Sequence, residues 1–251
     1  MIHAHILKMK VHATTYQAAT EQILAWANDH QSRTVCAANV HMVMEAYDDG
    51  ALRKVVNQAD LVTPDGMPLV WMLRWLGHPI EDRVYGPTLM LRVLEAAARR
   101  GIPVGFYGGA PKVLDSLVKN LQSRFQGLDV VFSFSPPFRG PTLEEDLASI
   151  QDINHSGARI LFVGLGCPKQ ELWMAAHRDR VKAVMLGVGA AFDFHAGKVR
   201  QAPQWLQNSG LEWLFRLLTE PGRLWRRYLK HNPRFAILGI MELARKKGNS
   251  I

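Results

Sequence analysis

The sequence predicts an α/β protein, with a mainly parallel sheet covered by helices on both faces and a helical, basic C-terminal appendage. Three observations lead there. Over residues 1–195, short apolar runs alternate with longer segments whose apolar positions recur every three or four residues, the pattern of βαβ units. Glycines and polar residues gather directly after those apolar runs, at the strand ends where open parallel sheets bind ligands. The formal net charge of +8 is carried by residues 196–251, which hold eleven Lys or Arg against three Glu and leave the preceding region neutral. The chain therefore divides into an α/β domain, 1–195, and a basic helical appendage, 196–251.

Taken in order, "HILKMKVHA" (5–13) reads as a strand, and "TYQAATEQILAWANDH" (15–30) as a helix capped by Thr14 or Thr15. "RTVCAAN" (33–39) is a strand, followed by one helix, "VHMVMEAYDDGALRKVVNQ" (40–58). "ADLVTP" (59–64) is a strand, and "GPTLMLRVLEAAARR" (86–100) a helix with proline in its first turn. "IPVGFYGG" (102–109) and "LDVVFSFS" (128–135) are strands, each leading to a helix, 110–125 and 142–157. "ARILFVGLG" (158–166) is a strand, "PKQELWMAAHRD" (168–179) a helix, and "VKAVMLGVG" (181–189) the last strand. From Ala202 onward no strand signal remains, and the helices there are expected to break near Pro221-Gly222 and at Pro233.

No apolar run reaches the roughly 18–20 residues that span a bilayer; "FAILGIM" (235–241) is the nearest approach. The N-terminus lacks the charged start, apolar middle and small-residue cleavage site of a secretory signal. Cys36 and Cys167 stand alone, without a CxxC or a disulfide framework. A cytoplasmic protein is the expectation.

Candidate site residues lie after the strands. "LVTPDG" (61–66) runs an apolar strand up to Asp65 and breaks at Gly66, the pattern of a turn aspartate or of a carboxylate at the mouth of a pocket. A carboxylate fixed there is placed to take a proton from a hydroxyl, and burial would raise its pKa toward that of an effective base. Asn39 ends the neighbouring strand, as an orienting amide or a helix N-cap. Arg83 fits an ion pair with Glu81 or Asp82, or a diphosphate. Gly108 and Gly109 precede a helix N-terminus, where backbone N–H groups favour an anion; a tight βα turn fits them too. Gly164, Gly166, Lys169 and Gln170 repeat that design in "FVGLGCPKQELW" (162–173), and "GVGAAFDFHAG" (187–197) is expected to bury Asp193 between phenylalanines. Together these loops suggest a nucleotide or nucleotide-sugar site. No Walker A motif or GxGxxG fingerprint is present.

These segments, with "ANVHMVMEA", "DRVYGPTLM" and the block "GVGAAFDFHAGKVRQAPQWLQNSGLEWLFRLLTEPGRLWRRYL", resemble the WecG/TagA/CpsF family of bacterial glycosyltransferases, also called glycosyltransferase family 26, over nearly the whole chain. The resemblance implies an inverting transfer of a hexose, often N-acetylmannosamine, from a UDP-sugar to a polyprenyl-diphosphate-linked sugar. The product would be a cell-surface polysaccharide or teichoic acid-type polymer. By motif position it implies Asp65 as base, Asn39 as its polar helper, Arg83 as the family's arginine and Gln170 as the PKQE glutamine. One departure is Ala37, where relatives commonly carry Thr. No cofactor is implied, and without a DxD carboxylate pair the turnover is expected to be metal-independent.

The appendage interleaves cations and aromatics. "RLWRRYLK" (223–230) is expected to place Leu224, Trp225, Tyr228 and Leu229 on one apolar side flanked by arginines, suiting an anionic membrane surface. Arg223, Arg226 and Arg227 are candidates to reach the diphosphate of donor or lipid. That places the protein peripherally on the inner face of the cell membrane, with self-association to a homo-oligomer left open. Two other readings compete: a dinucleotide-dependent oxidoreductase, which lacks its glycine fingerprint, and a nucleic-acid-binding module driven by the basic tail, which lacks a recognisable motif.

Overall fold

A computed structural model describes residues 1–78 and 83–248. The first expected strand is instead a hairpin, β1 (His3–Ile6) and β2 (Met9–His12), paired antiparallel in a sheet of its own. Its turn residues Leu7 and Lys8 have φ of 48° and 72°, the left-handed geometry a two-residue hairpin turn needs, supplied here without the usual Asn-Gly. Helix α1 (Tyr16–Asn28) follows, capped by the Thr15 side chain.

The remaining strands form a parallel six-stranded sheet: β3 (Arg33–Ala38), β4 (Leu61–Pro64), β5 (Val104–Gly108), β6 (Val130–Phe134), β7 (Ile160–Gly164) and β8 (Val184–Gly187). Their spatial order is β4-β3-β8-β7-β5-β6. β4, β5 and β8 are buried throughout and β7 in all but its last residue, which is why they read as continuous apolar runs.

The expected helix over 40–58 is two, α2 (Val40–Asp48) and α3 (Gly50–Gln58). Asp49, extended at ψ 110°, ends the first, and its carboxylate accepts from the N–H groups of Ala51 and Leu52 to start the second. Helix α4 (Met67–Trp75), not anticipated, fills the interval before α5 (Gly86–Arg100). Then come α6 (Pro111–Arg124), α7 (Leu143–His155), α8 (Lys169–His177) and the short α9 (Ala191–His195). One apolar cluster joins α2, α3, α4 and the hairpin to one face of the sheet; a second joins α1, α5 and α6 to the other.

The C-terminal region is helical: α10 (Gln204–Asn208), α11 (Glu212–Thr219) and α12 (Pro221–Gly248). The break near Pro221 is present, but α12 runs straight through Pro233. Residues on either side of that proline are tied to α2: His231 lies 3.1 Å from Glu45, and Arg234 2.8 Å from Asp48. With Phe235 also buried in the core, this docking offsets the one backbone hydrogen bond that proline cannot donate. The single apolar side expected for 223–230 is divided as well. Leu224 turns inward, whereas Trp225 and Leu229 are exposed. Among the described residues, no helix is long and apolar enough to cross a membrane.

Candidate active site

A cavity of about 410 Å³ opens at the carboxyl edge of the sheet, between the ends of β3 and β4, helix α4 and the appendage. Asp65, Asn39, Arg83 and Arg227 all line it. Asp65 follows the buried strand β4, its backbone N–H donating to the Ala38 carbonyl at 2.8 Å, so the carboxyl is held beside the neighbouring strand end. One carboxyl oxygen accepts from the Gly86 N–H at 3.2 Å. Burial pushes the Asp65 pKa up to about 7 against the opposing pull of Arg83, with Glu212 adding to the rise. Such a group is shared between acid and base forms at neutral pH, the condition for efficient proton transfer.

Asn39 fulfils both readings. Its side-chain oxygen caps α2 by accepting from the Met42 N–H at 3.3 Å, while the residue itself borders the cavity. Arg83 does not stand free. It bonds Glu212 of α11 at 2.7 Å and Gln207 of α10 at 2.9 Å, and its guanidinium lies 4.2 Å from the centre of the Tyr85 ring. Tyr85 donates its hydroxyl to the same Glu212 at 2.8 Å. The pairing once considered for Arg83, with Glu81 or Asp82, lies outside the described residues. The appendage is thus latched to the α/β body through the arginine beside Asp65.

Of the tail arginines, Arg227 lines the cavity, whereas Arg223 and Arg226 are exposed. Arg223 pairs with Glu220, and Arg226 stacks on Trp225 with 5.2 Å between its guanidinium and the ring centre. Arg227 makes no ion pair among the described residues, and its Nε is buried without a partner. Arg216 joins it in the lining, 3.7 Å from Glu220. His41 is neutral there, its pKa pushed down to about 3 by burial and then by Arg227. Sequence reasoning passed over Glu212, Tyr85, His41, His231 and the role of Arg216. The spacing of Glu212 and Arg216, one helical turn apart, was the available signal.

Gly108, Gly109, Gly164 and Gly166 lie on the same sheet edge but outside this lining. Strands β7 and β5 stand three and four positions from β4, roughly 14 and 19 Å at the usual strand spacing. Gly108 and Gly164 are closely packed there. A Cβ on Gly164 would fall 2.6 Å from the Phe192 ring, and one on Gly108 2.7 Å from the Gly164 backbone. Gln170 is buried between the Gly166 N–H at 3.1 Å and the Glu171 carboxyl at 2.7 Å, and Lys169 is exposed. Asp193 is not buried between phenylalanines. Helix α9 turns Phe192 and Phe194 inward and leaves Asp193 partly exposed, paired with Lys198 at 3.2 Å.

A carboxyl inside a cavity at the strand ends of a parallel sheet stands where α/β folds of this kind hold their ligands. The chain belongs to the WecG/TagA/CpsF family of glycosyl transferases, whose family model matches residues 4–249. It is also similar to the N-acetylglucosaminyldiphosphoundecaprenol N-acetyl-beta-D-mannosaminyltransferase of Bacillus spizizenii, at 30% identity over 206 residues, covering 81% of this chain and 77% of that one. Membership in a transferase family selects the first of the three readings: the protein is a glycosyltransferase.

Proposed function

We propose that the chain moves N-acetylmannosamine, or a closely related hexose, from a UDP-sugar to the sugar of a polyprenyl-diphosphate-linked acceptor. The step belongs to cell-surface polysaccharide or teichoic acid-type polymer synthesis. The activity of the Bacillus relative and the shared family support the substrates. The observation that carries the chemistry is Asp65, half-buried in the cavity with its pKa at about 7. Its carboxylate takes the proton of the acceptor hydroxyl as that oxygen forms a bond to the anomeric carbon. The bond from that carbon to UDP breaks on the opposite face, UDP leaves with the electron pair, and the configuration inverts. Arg216 faces the charge that gathers on the departing diphosphate. No step in this scheme calls for a metal.

The reading also places the protein peripherally at a membrane. Trp225, Leu229, Ile237 and Met241 are exposed along α12, beside Arg226 and Lys230, a combination suited to an anionic interface. The same apolar face gives a route to self-association away from lipid. The test is a screen of UDP-sugars for UDP release with an N-acetylglucosaminyl-diphosphate-lipid acceptor, with and without anionic vesicles. Transfer from UDP-N-acetylmannosamine, abolished by Asp65→Asn, is expected. No transfer from any UDP-hexose would overturn the substrate assignment, and full activity of Asp65→Asn would overturn the base.

A further inference from the structure

Much of the cavity lining has no part in the chemistry above, and it is apolar. On α12 the lining residues recur one turn apart: Arg227 and Tyr228, His231 and Asn232, Phe235 and Ala236, Gly239 and Ile240. Along this single stripe of roughly 20 Å, polarity runs from cationic to wholly apolar. The facing stripe on α4 behaves alike, leaving the Asp65 loop through Met67 and Trp71 to Met72 and Trp75. The apolar halves meet where a Cβ on Gly239 would come 3.3 Å from the Met72 sulfur. At the outer end, Trp75 and Ile240 are each 65% exposed, next to the exposed face of α12 that carries Ile237 and Met241.

We propose that the groove between α4 and α12 receives the first isoprene units of the acceptor's lipid chain, holding the sugar at Asp65 and the acceptor's diphosphate at Arg227, the cationic end of the α12 stripe. This rests on the transferase reading. The polarity gradient matches an amphiphile whose charged head precedes its hydrocarbon. A second sugar or a nucleotide in the outer half would lose hydration against Trp71, Met72 and Phe235 without gaining hydrogen bonds. The groove opens beside the face proposed to meet the membrane, so the rest of the chain continues into the bilayer without crossing a polar surface. Acceptor length then becomes a determinant of specificity.

The full-length protein is assayed with UDP-N-acetylmannosamine and two acceptors in the same detergent micelles. One carries N-acetylglucosaminyl diphosphate on undecaprenol, the other on a single isoprenyl unit. The unmodified protein is expected to prefer the long acceptor in kcat/KM. Trp75→Glu and Ile240→Glu lower that preference about tenfold, the effect of losing burial of roughly two methylene groups. An unchanged preference in both variants, or none in the unmodified protein, overturns the groove. Ile237→Glu points away from it, and an equal fall there would assign the effect to the membrane face and also overturn the proposal. A benzophenone-bearing polyprenyl diphosphate gives a readout independent of turnover and of variant folding. Labelling of α4 and α12 peptides supports the groove, and labelling confined to other segments refutes it. If the unmodified protein transfers to neither acceptor while labelling falls on α4 and α12, it is the transferase reading that fails and not the lipid groove.

Discussion

Replacing Asp65 with Asn should destroy activity and stabilise the fold, because both follow from desolvating one carboxyl. Its pKa is 3.8 when solvated and about 7 in the folded protein, with burial the main cause. Between those values the folded state keeps a proton that the unfolded chain has released. Stability contributed by this group therefore falls as pH rises from about 4 to about 7 and stays low above. The full difference corresponds to a ceiling of about 4 kcal/mol at pH 8. Asp65 is only half-buried, so we expect about 1–2 kcal/mol, or a Tm increase of about 3–6 °C in a chain of this size. Asparagine keeps an oxygen for the Gly86 N–H and removes only the ionisation. Thermal unfolding at pH 8 and at pH 5 reads the effect, which should shrink at the lower pH. UDP release reads the other half, a loss of about 10² to 10⁴ in rate. A variant that is less stable at pH 8, or that retains near-normal turnover, refutes the reasoning.

Other perturbations separate structure from chemistry. In the unmodified protein, kcat/KM should rise with pH through about 7 and level off as Asp65 ionises, a profile read directly from initial rates. Glu212→Ala leaves Arg83, whose side chain is 9% exposed, without its carboxylate. Loss of one partner of a buried pair typically destabilises by about 3–5 kcal/mol, and hydrogen exchange over α11 should accelerate. Removing that negative neighbour should also shift the acid limb of the pH profile downward. Gly164→Ala forces a methyl group against Phe192 and should lower Tm by the equivalent of about 1–3 kcal/mol, with catalysis per folded molecule retained. Pro233→Ala restores a backbone donor on an exposed helix face; it should raise Tm, with about 3 kcal/mol as the ceiling, and leave turnover unchanged.

The sheet was legible because strands buried on both faces have to be apolar throughout, and β5, β7 and β8 are. Asp65 was legible for a related reason: an apolar run that stops at Asp-Gly puts the carboxyl at the strand end. The hairpin was hidden because Leu7 and Lys8 adopt positive φ without the residues that usually announce it. The boundary between α2 and α3 was hidden because their apolar period continues across Asp49. Glycine gave an ambiguous signal. Gly108 and Gly164 carry the spacing of an anion loop, and they are also closely packed: Gly164 against Phe192, distant in sequence, and Gly108 against the Gly164 backbone.

Charge was legible in sum and not in direction. Arg223, Arg226 and Arg227 belong to one basic run, but successive residues on a helix point about 100° apart, so only Arg227 reaches the cavity. Reading Pro233 as a break had a larger consequence, since it cuts α12 between its cationic and apolar halves. With the helix continuous, Arg227 and Ile240 fall on one stripe, and their separation becomes a length against which a lipid can be measured. Proline's local preference against helix, about 3 kcal/mol in a helix interior, is offset by the docking of His231, Arg234 and Phe235 onto the body of the protein. The amphiphilic groove is therefore a tertiary property: the ion pairs to α2 and the burial of Phe235 hold together a helix that local sequence rules would divide.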